Sequence, residues 1–198
     1  MTSATGLMVS AGQMALVILA LMSSQALLAD TFNDLQPVDP QPATGALEPG
    51  LAVNYVFLMA HHVDEIEANG PGESGKPLPK LDYRSGSGKV LSSDRADGVG
   101  ALIKGFIKFP KTGRWLVATQ SNDGVRVRIA GQVVVEDPDV HPDQYSQNAE
   151  INVTQPGWYE LAVTYFERKN TSTLRLFWQA PDRSEFEVVP IDALAHLK

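Results

Sequence analysis

The sequence predicts an all-β chain, folded as an antiparallel β-sandwich or barrel with long loops, and three observations carry that prediction. Apolar and β-branched residues alternate with polar ones at a period of two through several short segments, the pattern of half-buried strands. Sixteen glycines and thirteen prolines are present, and many fall between those segments, which suits a turn-rich β protein. The segments follow one another at turn-punctuated intervals over 50–198, as expected of two packed antiparallel layers.

Residues 1–29 carry no charged side chain, and Met14 to Met22 is their most apolar part. An apolar run ending in small residues fits a secretory signal, with Ser24-Gln25-Ala26 or Ala29 as cleavage sites, although the usual positive n-region is missing. A retained membrane anchor stays open, since Leu7 to Ala29 is just long enough to span a bilayer if Gln13 and Gln25 are tolerated. Either way the remainder is expected to be exported, to a periplasm, cell envelope or extracellular space. Residues 30–49 hold Pro37, Pro40, Pro42 and Pro49 and few apolar residues. That composition predicts a linker or arm; Phe32 and Leu35 are what an arm docking on a partner would use.

The predicted domain is 50–198. Its first strand is Leu51–Met59, with Val53, Tyr55, Phe57 and Met59 on one side. From Ala60 to Gly100 no periodicity persists, so long loops are expected, with a short helix near Val63–Ala68 and an extended piece beginning at Tyr83. Ile103–Phe109 is a strand stopped by Pro110. In Thr112–Gly131, Trp115, Val117 and Thr119 alternate with their neighbours, as do Val125, Val127 and Ile129 with Arg126 and Arg128. Between them stands Ser121-Asn122-Asp123-Gly124, built from residues that tolerate a positive φ, and the stretch predicts a hairpin. Val133–Val135 follows, then an acidic loop from Glu136 to Asn148, a brief Ile151–Val153, and the longest strand, Trp158–Phe166, with Tyr159, Leu161, Val163 and Tyr165 inward. Leu174–Trp178, Glu185–Val189 and a short apolar end complete the chain. The three tryptophans fall in strand patterns and are expected in the core.

Net charge is −7 without a cluster of Lys or Arg, which argues against a nucleic-acid partner. There is no cysteine, so disulfides, zinc–thiolate sites and thiol nucleophiles are excluded together. Gly70 to Lys76 matches part of a phosphate loop, but Pro77 stands where Ser or Thr would bind magnesium, and the flanking strand and helix are missing. Ser85-Gly86-Ser87-Gly88 lacks the elbow of a hydrolase serine. Adjacent His61 and His62 point opposite ways on an extended chain and cannot easily share an ion. No nucleophile–base pair or facing carboxylates are spaced for catalysis, so no enzyme is expected.

Gly113-x-Trp115, Ser121-Asn122-Asp123-Gly124-Val125-Arg126-Val127 and Ile129-x-Gly131, followed by Gly157-Trp158-Tyr159-Glu160-Leu161, Thr164-Tyr165-Phe166-Glu167 and Leu174-x-Leu176-x-Trp178, resemble the protective-antigen (PA-fourteen) domain family. The resemblance runs from about Gly50 to the C-terminus. It implies a β-sandwich, many of whose members are extracellular and whose adhesin branch binds sugars through calcium. In sugar-binding relatives two consecutive aspartates, joined by a cis peptide, hold that calcium; here Asn122 replaces the first and Asp123 keeps the second. Asn122 retains an amide oxygen but loses one charge, and calcium prefers carboxylate oxygens. The rival reading is a plain Asn-Asp-Gly turn.

The resemblance also places a second binding loop at Glu136–Asn148. Asp137 and Asp139 are therefore candidate metal ligands beside Asn122 and Asp123. Asp143, Tyr145 and Asn148 are candidate ligand-binding residues, Tyr145 being the one loop aromatic. A solvated acidic loop stiffened by Pro138 and Pro142 is the alternative. Two functions stay open: a calcium-assisted module for cell-surface glycan, and a structural subunit of an envelope or membrane complex making protein contacts through its arm and loops.

Overall fold

The computed structural model describes residues 30–43, 45–86 and 88–198; the apolar segment at 1–29 lies outside them. In chain order the elements are β1 (Thr31–Phe32), β2 (Leu47–Pro49), β3 (Ala52–Phe57), α1 (Val63–Ala68), β4 (Glu73–Ser74), β5 (Asp82–Ser85) and β6 (Val99–Phe109). There follow β7 (Gly113–Asn122), β8 (Val125–Ile129), β9 (Gln132–Asp137), β10 (Gln144–Tyr145), β11 (Ala149–Val153) and β12 (Gly157–Glu167). The chain ends with β13 (Ser172–Gln179), β14 (Glu187–Val188), a 3₁₀ turn (Ile191–Ala193) and β15 (Leu194–Leu197). Among the described residues no helix is long and apolar enough to cross a membrane.

The strands form two sheets, as the alternation predicts. One has seven strands in the order β1-β11-β7-β13-β14, with β10 also on β7 and β5 on β13; the other has eight, in the order β2-β15-β6-β12-β8-β9, with β3 on β6 and β4 on β3. The inward parity of β12 is as expected: Tyr159, Leu161, Val163 and Tyr165 are all buried. They meet Trp115, Val117 and Leu176 from the facing sheet in one continuous core. Phe109 packs edge-on against Trp115 and Tyr159 at centroid distances of 5.2 and 5.3 Å, and Trp115 lies 4.8 Å from Trp178, separations at which aromatic pairs attract.

The central segment corrects the predicted hairpin. β7 and β8 do not pair; β7 pairs with β13 and β11 in one sheet, β8 with β12 and β9 in the other. Alternation at a period of two is the same for a strand that turns back beside its neighbour and one that crosses to the opposite layer, so pattern alone cannot separate them. The connection turns not through positive φ but through a cis Asn122–Asp123 peptide. The true hairpin is β8–β9, where Ala130 (φ 49°) and Gly131 (φ 78°) both take the left-handed region that a two-residue turn requires.

Three further differences have plain causes. Trp158 is half-exposed, because Tyr159 claims the inward side and successive residues face opposite ways; Lys108 Nζ lies 5.6 Å over its ring. Met59 falls beyond the end of β3 and is 52% exposed. Arg126, outward on β8, is nonetheless buried, since α1 lies over that face. Val63 and Ile66 of α1 pack on Val56 and Phe166 in a second small cluster. Beside it Arg126 donates to Asp64 (2.8 Å), Glu67 (2.9 Å) and both oxygens of Glu136 (2.6 and 2.7 Å). Glu67 also accepts from Arg128 and from Thr164 Oγ1. Burial alone would raise the Glu67 pKa, but the hydrogen bonds from Arg128, Thr164 and Arg126 outweigh it and bring it down to about 2.

The 30–49 stretch lies along its own domain. β1 pairs in parallel with β11, β2 pairs with β15, and Leu35 is 1% exposed in the main core. Gln41 closes the contact, donating to Trp158 O (3.1 Å) and accepting from Trp158 N (2.7 Å).

Candidate functional site

The crossover Asn122-Asp123-Gly124 sits at one rim of the sandwich. Beside it runs a second crossing, from β12 to β13 through Arg168–Thr171. Asp123 N donates to Phe166 O at 3.1 Å, and Phe166 N to Gly124 O at 3.0 Å. Asp123 is 5% exposed, and its Oδ2 accepts from Arg168 N at 2.8 Å. Asn122 Nδ2 donates to Thr171 Oγ1 (3.0 Å), and Asn122 O accepts from Tyr165 Oη (2.6 Å). Burial first, then the charges of Glu167 and Asp123, hold the Tyr165 hydroxyl well above its ordinary pKa, so it stays a donor.

On its other flank the crossover meets the predicted acidic loop. A Cβ on Gly124 would fall 2.6 Å from Pro138 O, so the loop backbone passes directly against the turn, and only glycine admits it there. Gln144 and Tyr145 pair in register with Ser121 and Gln120. The loop then separates its own candidates. Asp137 accepts from Gln144 Nε2 at 3.0 and 3.2 Å and faces His141 Nε2 at 3.3 Å. Asp139 is exposed and bridged through its backbone to His62, toward α1. Asp143 takes an Arg84 guanidinium at 2.9 Å. Among the described residues no group of three or more His, Cys, Asp or Glu stands where it could hold a metal ion. The turn supplies the Asn122 amide oxygen and the second Asp123 oxygen, fewer than the six to eight that calcium takes.

Tyr145 is 63% exposed, with its ring 5.8 Å from that of Phe177 on the outer face of the seven-stranded sheet. Arg175 stacks over the same Phe177 at 4.7 Å and donates to Gln120 and Asp82. Asp137, Tyr145 and Asn148 line one groove of about 410 Å³, which opens between β9 and Gln144–Asn148. That volume is in the range of small-ligand clefts. The structure thus brings Asn122, Asp123 and Asp143 to the rim, and Asp137, Tyr145 and Asn148 to the groove alongside; Asp139 joins neither.

Sequence reasoning passed over Glu167. It is fully buried, and neither carboxylate oxygen has a hydrogen-bond partner among the described residues. Burial, then the neighbouring charges of Asp97 and Asp123, raise its pKa to about 7; the Gly98 N–H, committed to Arg168 O at 3.0 Å, opposes this only weakly. The signal was present in parity, since Glu167 shares the inward face with Tyr159, Leu161, Val163 and Tyr165.

The model of the PA14 domain family matches residues 82–192. In fold the chain is similar to the crystal structure of the PA14 domain of MpAFP, an antifreeze protein, at 15% identity and a TM-score of 0.64, covering 81% of this chain and 96% of that one. It is similar to the PA14 sugar-binding domain from an RTX adhesin (18% identity, TM-score 0.61, 75% and 98% covered). A third likeness is to the A domain of Epithelial Adhesin 9 from Candida glabrata in complex with Galb1-4GlcNAc (13% identity, TM-score 0.61, 83% and 96% covered). At these identities the likeness is one of fold. No curated protein matches the chain.

Proposed function

The chain belongs to the PA14 domain family, and from that premise we propose that it is an exported, non-catalytic module that binds cell-surface carbohydrate. Two of the similar structures are, by their descriptions, a sugar-binding adhesin domain and an adhesin domain holding a galactose-containing disaccharide. The single observation that carries the proposal here is the exposed Tyr145 ring placed beside a polar groove with Asn148, Gln144 and Asp137. A sugar presents an apolar C–H face and a belt of hydroxyls. An exposed aromatic ring covers the first, while carboxamides, which both donate and accept, satisfy the second.

Acid chemistry is disfavoured because the two neighbouring carboxylates at the rim, Asp123 and Glu167, are buried, whereas glycoside cleavage needs a pair that flanks the bound sugar. Calcium enters the proposal only at the Asn122–Asp123 turn. Their two free oxygens would need backbone carbonyls, water and ligand hydroxyls to complete a coordination shell. A structural role through the arm is less favoured, because Leu35 and the β1 edge are already used against the chain's own domain.

The test is a glycan array with the full chain, followed by calorimetry on the best hit with and without calcium. Tyr145→Ala is expected to weaken binding at least tenfold. Absence of binding to every glycan, in calcium and in chelator, would overturn the proposal. Thermal melting with and without calcium separates the cation from the sugar: a shift of several degrees supports an ion site.

A further inference from the structure

Along the β9 side the sandwich is left open. β9 ends the eight-stranded sheet and, among the described residues, pairs only with β8. On the seven-stranded sheet β1 covers the facing edge only at Glu150 and Ile151, so Gln144–Asn148 remains a free margin. The groove described above is this seam. Its charged lining is Asp30, Asp137 and Glu136, the last already paired with Arg126, and its neutral polar lining is Gln144, Ser146, Gln147 and Asn148, with Tyr145 at its margin and the β9 backbone as the opposite wall. No Lys or Arg lines it.

We infer that the seam is the glycan-binding cleft of this chain and that it takes a neutral or amine-bearing stretch of a glycan, rejecting chains that carry uronate or sulfate. This rests on the glycan-binding function proposed above for the same groove and adds the chemical class of the glycan. The carboxamides and the unpaired edge groups of β9 offer donors and acceptors in close alternation, as a row of hydroxyls requires. Asp137 is held in place by Gln144, whose Nε2 donates to both of its oxygens at 3.0 and 3.2 Å. Asp30 stands at the same groove, its carbonyl tied to Glu150 N at 2.8 Å. An anionic ligand would therefore meet the Asp137 and Asp30 carboxylates in a groove that no Lys or Arg lines, a repulsion that added salt screens.

A peptide strand added to β9 fits less well. The β8–β9 register shifts between Val127 and Arg128, and Glu136 and Asp137 end the strand; bulges and edge charges are features that discourage strand addition.

Calorimetry on the full chain with three probes tests this: a neutral galacto-oligosaccharide, a chitosan oligosaccharide, and an oligogalacturonate of matching length. The first two are expected to bind, and the uronate at least tenfold more weakly, with the gap narrowing as salt is raised. Tyr145→Ala should weaken the neutral ligand at least tenfold and Asn148→Ala at least fivefold, neither moving the melting temperature. Equal binding of the uronate overturns the class while leaving glycan binding intact. Neutral binding untouched by both substitutions overturns the location. Binding of an alternating Lys–Val peptide in place of any glycan assigns the seam to strand addition instead. Silence toward every sugar on the array described above is a different failure, that of glycan binding itself.

Discussion

Replacing Glu167 by Gln removes the one carboxyl group of the rim that has neither solvent nor a hydrogen-bond partner. Its pKa stands at about 7 in the folded chain, against 4.5 for an ordinary glutamate. Between those two values the folded state therefore holds a proton that the unfolded state has released. Stability contributed by this group is greatest below about pH 4.5 and declines as pH rises through 7, after which the loss is complete. Each pKa unit is worth about 1.4 kcal/mol, so the full difference is on the order of 3 kcal/mol. Urea unfolding of both proteins at pH 5, 6, 7 and 8 reads it directly. The variant should gain on the original as pH rises, by on the order of 2 to 3 kcal/mol between pH 5 and pH 8. Gln brings an amide that must also go unpaired, so the offset between the two curves at pH 5 has either sign; only the slope is diagnostic. Parallel curves across the four pH values would refute the reasoning.

Glu67→Ala should cost about 2 to 3 kcal/mol at pH 7, less than a fully buried pair because its side chain is partly exposed, and should be read as faster amide exchange in α1. Its folded pKa of about 2 lies below the ordinary 4.5, so that contribution is present above pH 4.5 and fades as pH falls toward 2. Leu35→Ala is expected to lose about 2 to 4 kcal/mol in urea unfolding, a core penalty from a residue outside the family match; a change within 0.5 kcal/mol would mean that the arm is not docked in solution. Tyr145→Ala should leave stability within about 0.5 kcal/mol, as an exposed side chain does, while weakening glycan binding at least tenfold.

How much was legible follows from what a strand pattern encodes. Parity along β12 named Tyr159, Leu161, Val163 and Tyr165 as buried, and one step further along the same count falls on Glu167, because side-chain direction depends only on counting by two. The helix at Val63–Ala68 appeared at its predicted place, although its purpose did not. That it covers β8 and buries Arg126 depends on contacts between residues some 60 positions apart, which no local window contains. The β7–β8 crossover was unreadable for the same reason: partner choice is set by β12 and β13, far along the chain. For the candidate site, residue types marked out the Asn122–Asp123 turn and the Glu136–Asn148 loop, which the fold sets side by side. Which of the aspartates meet was decided by Arg84, Gln144 and His62, none of which any local pattern ties to those aspartates.

Two strand-to-strand passages, at Asn122–Gly124 and at Arg168–Thr171, step between the layers side by side and are cross-tied by Asp123, Phe166 and Thr171. Such a doubled seam acts like a pair of adjacent rivets: neither sheet can slide on the other at this end without shearing both. In the proposed role, a glycan in the groove alongside would meet a margin already stiff, and little ordering would be left to subtract from its affinity.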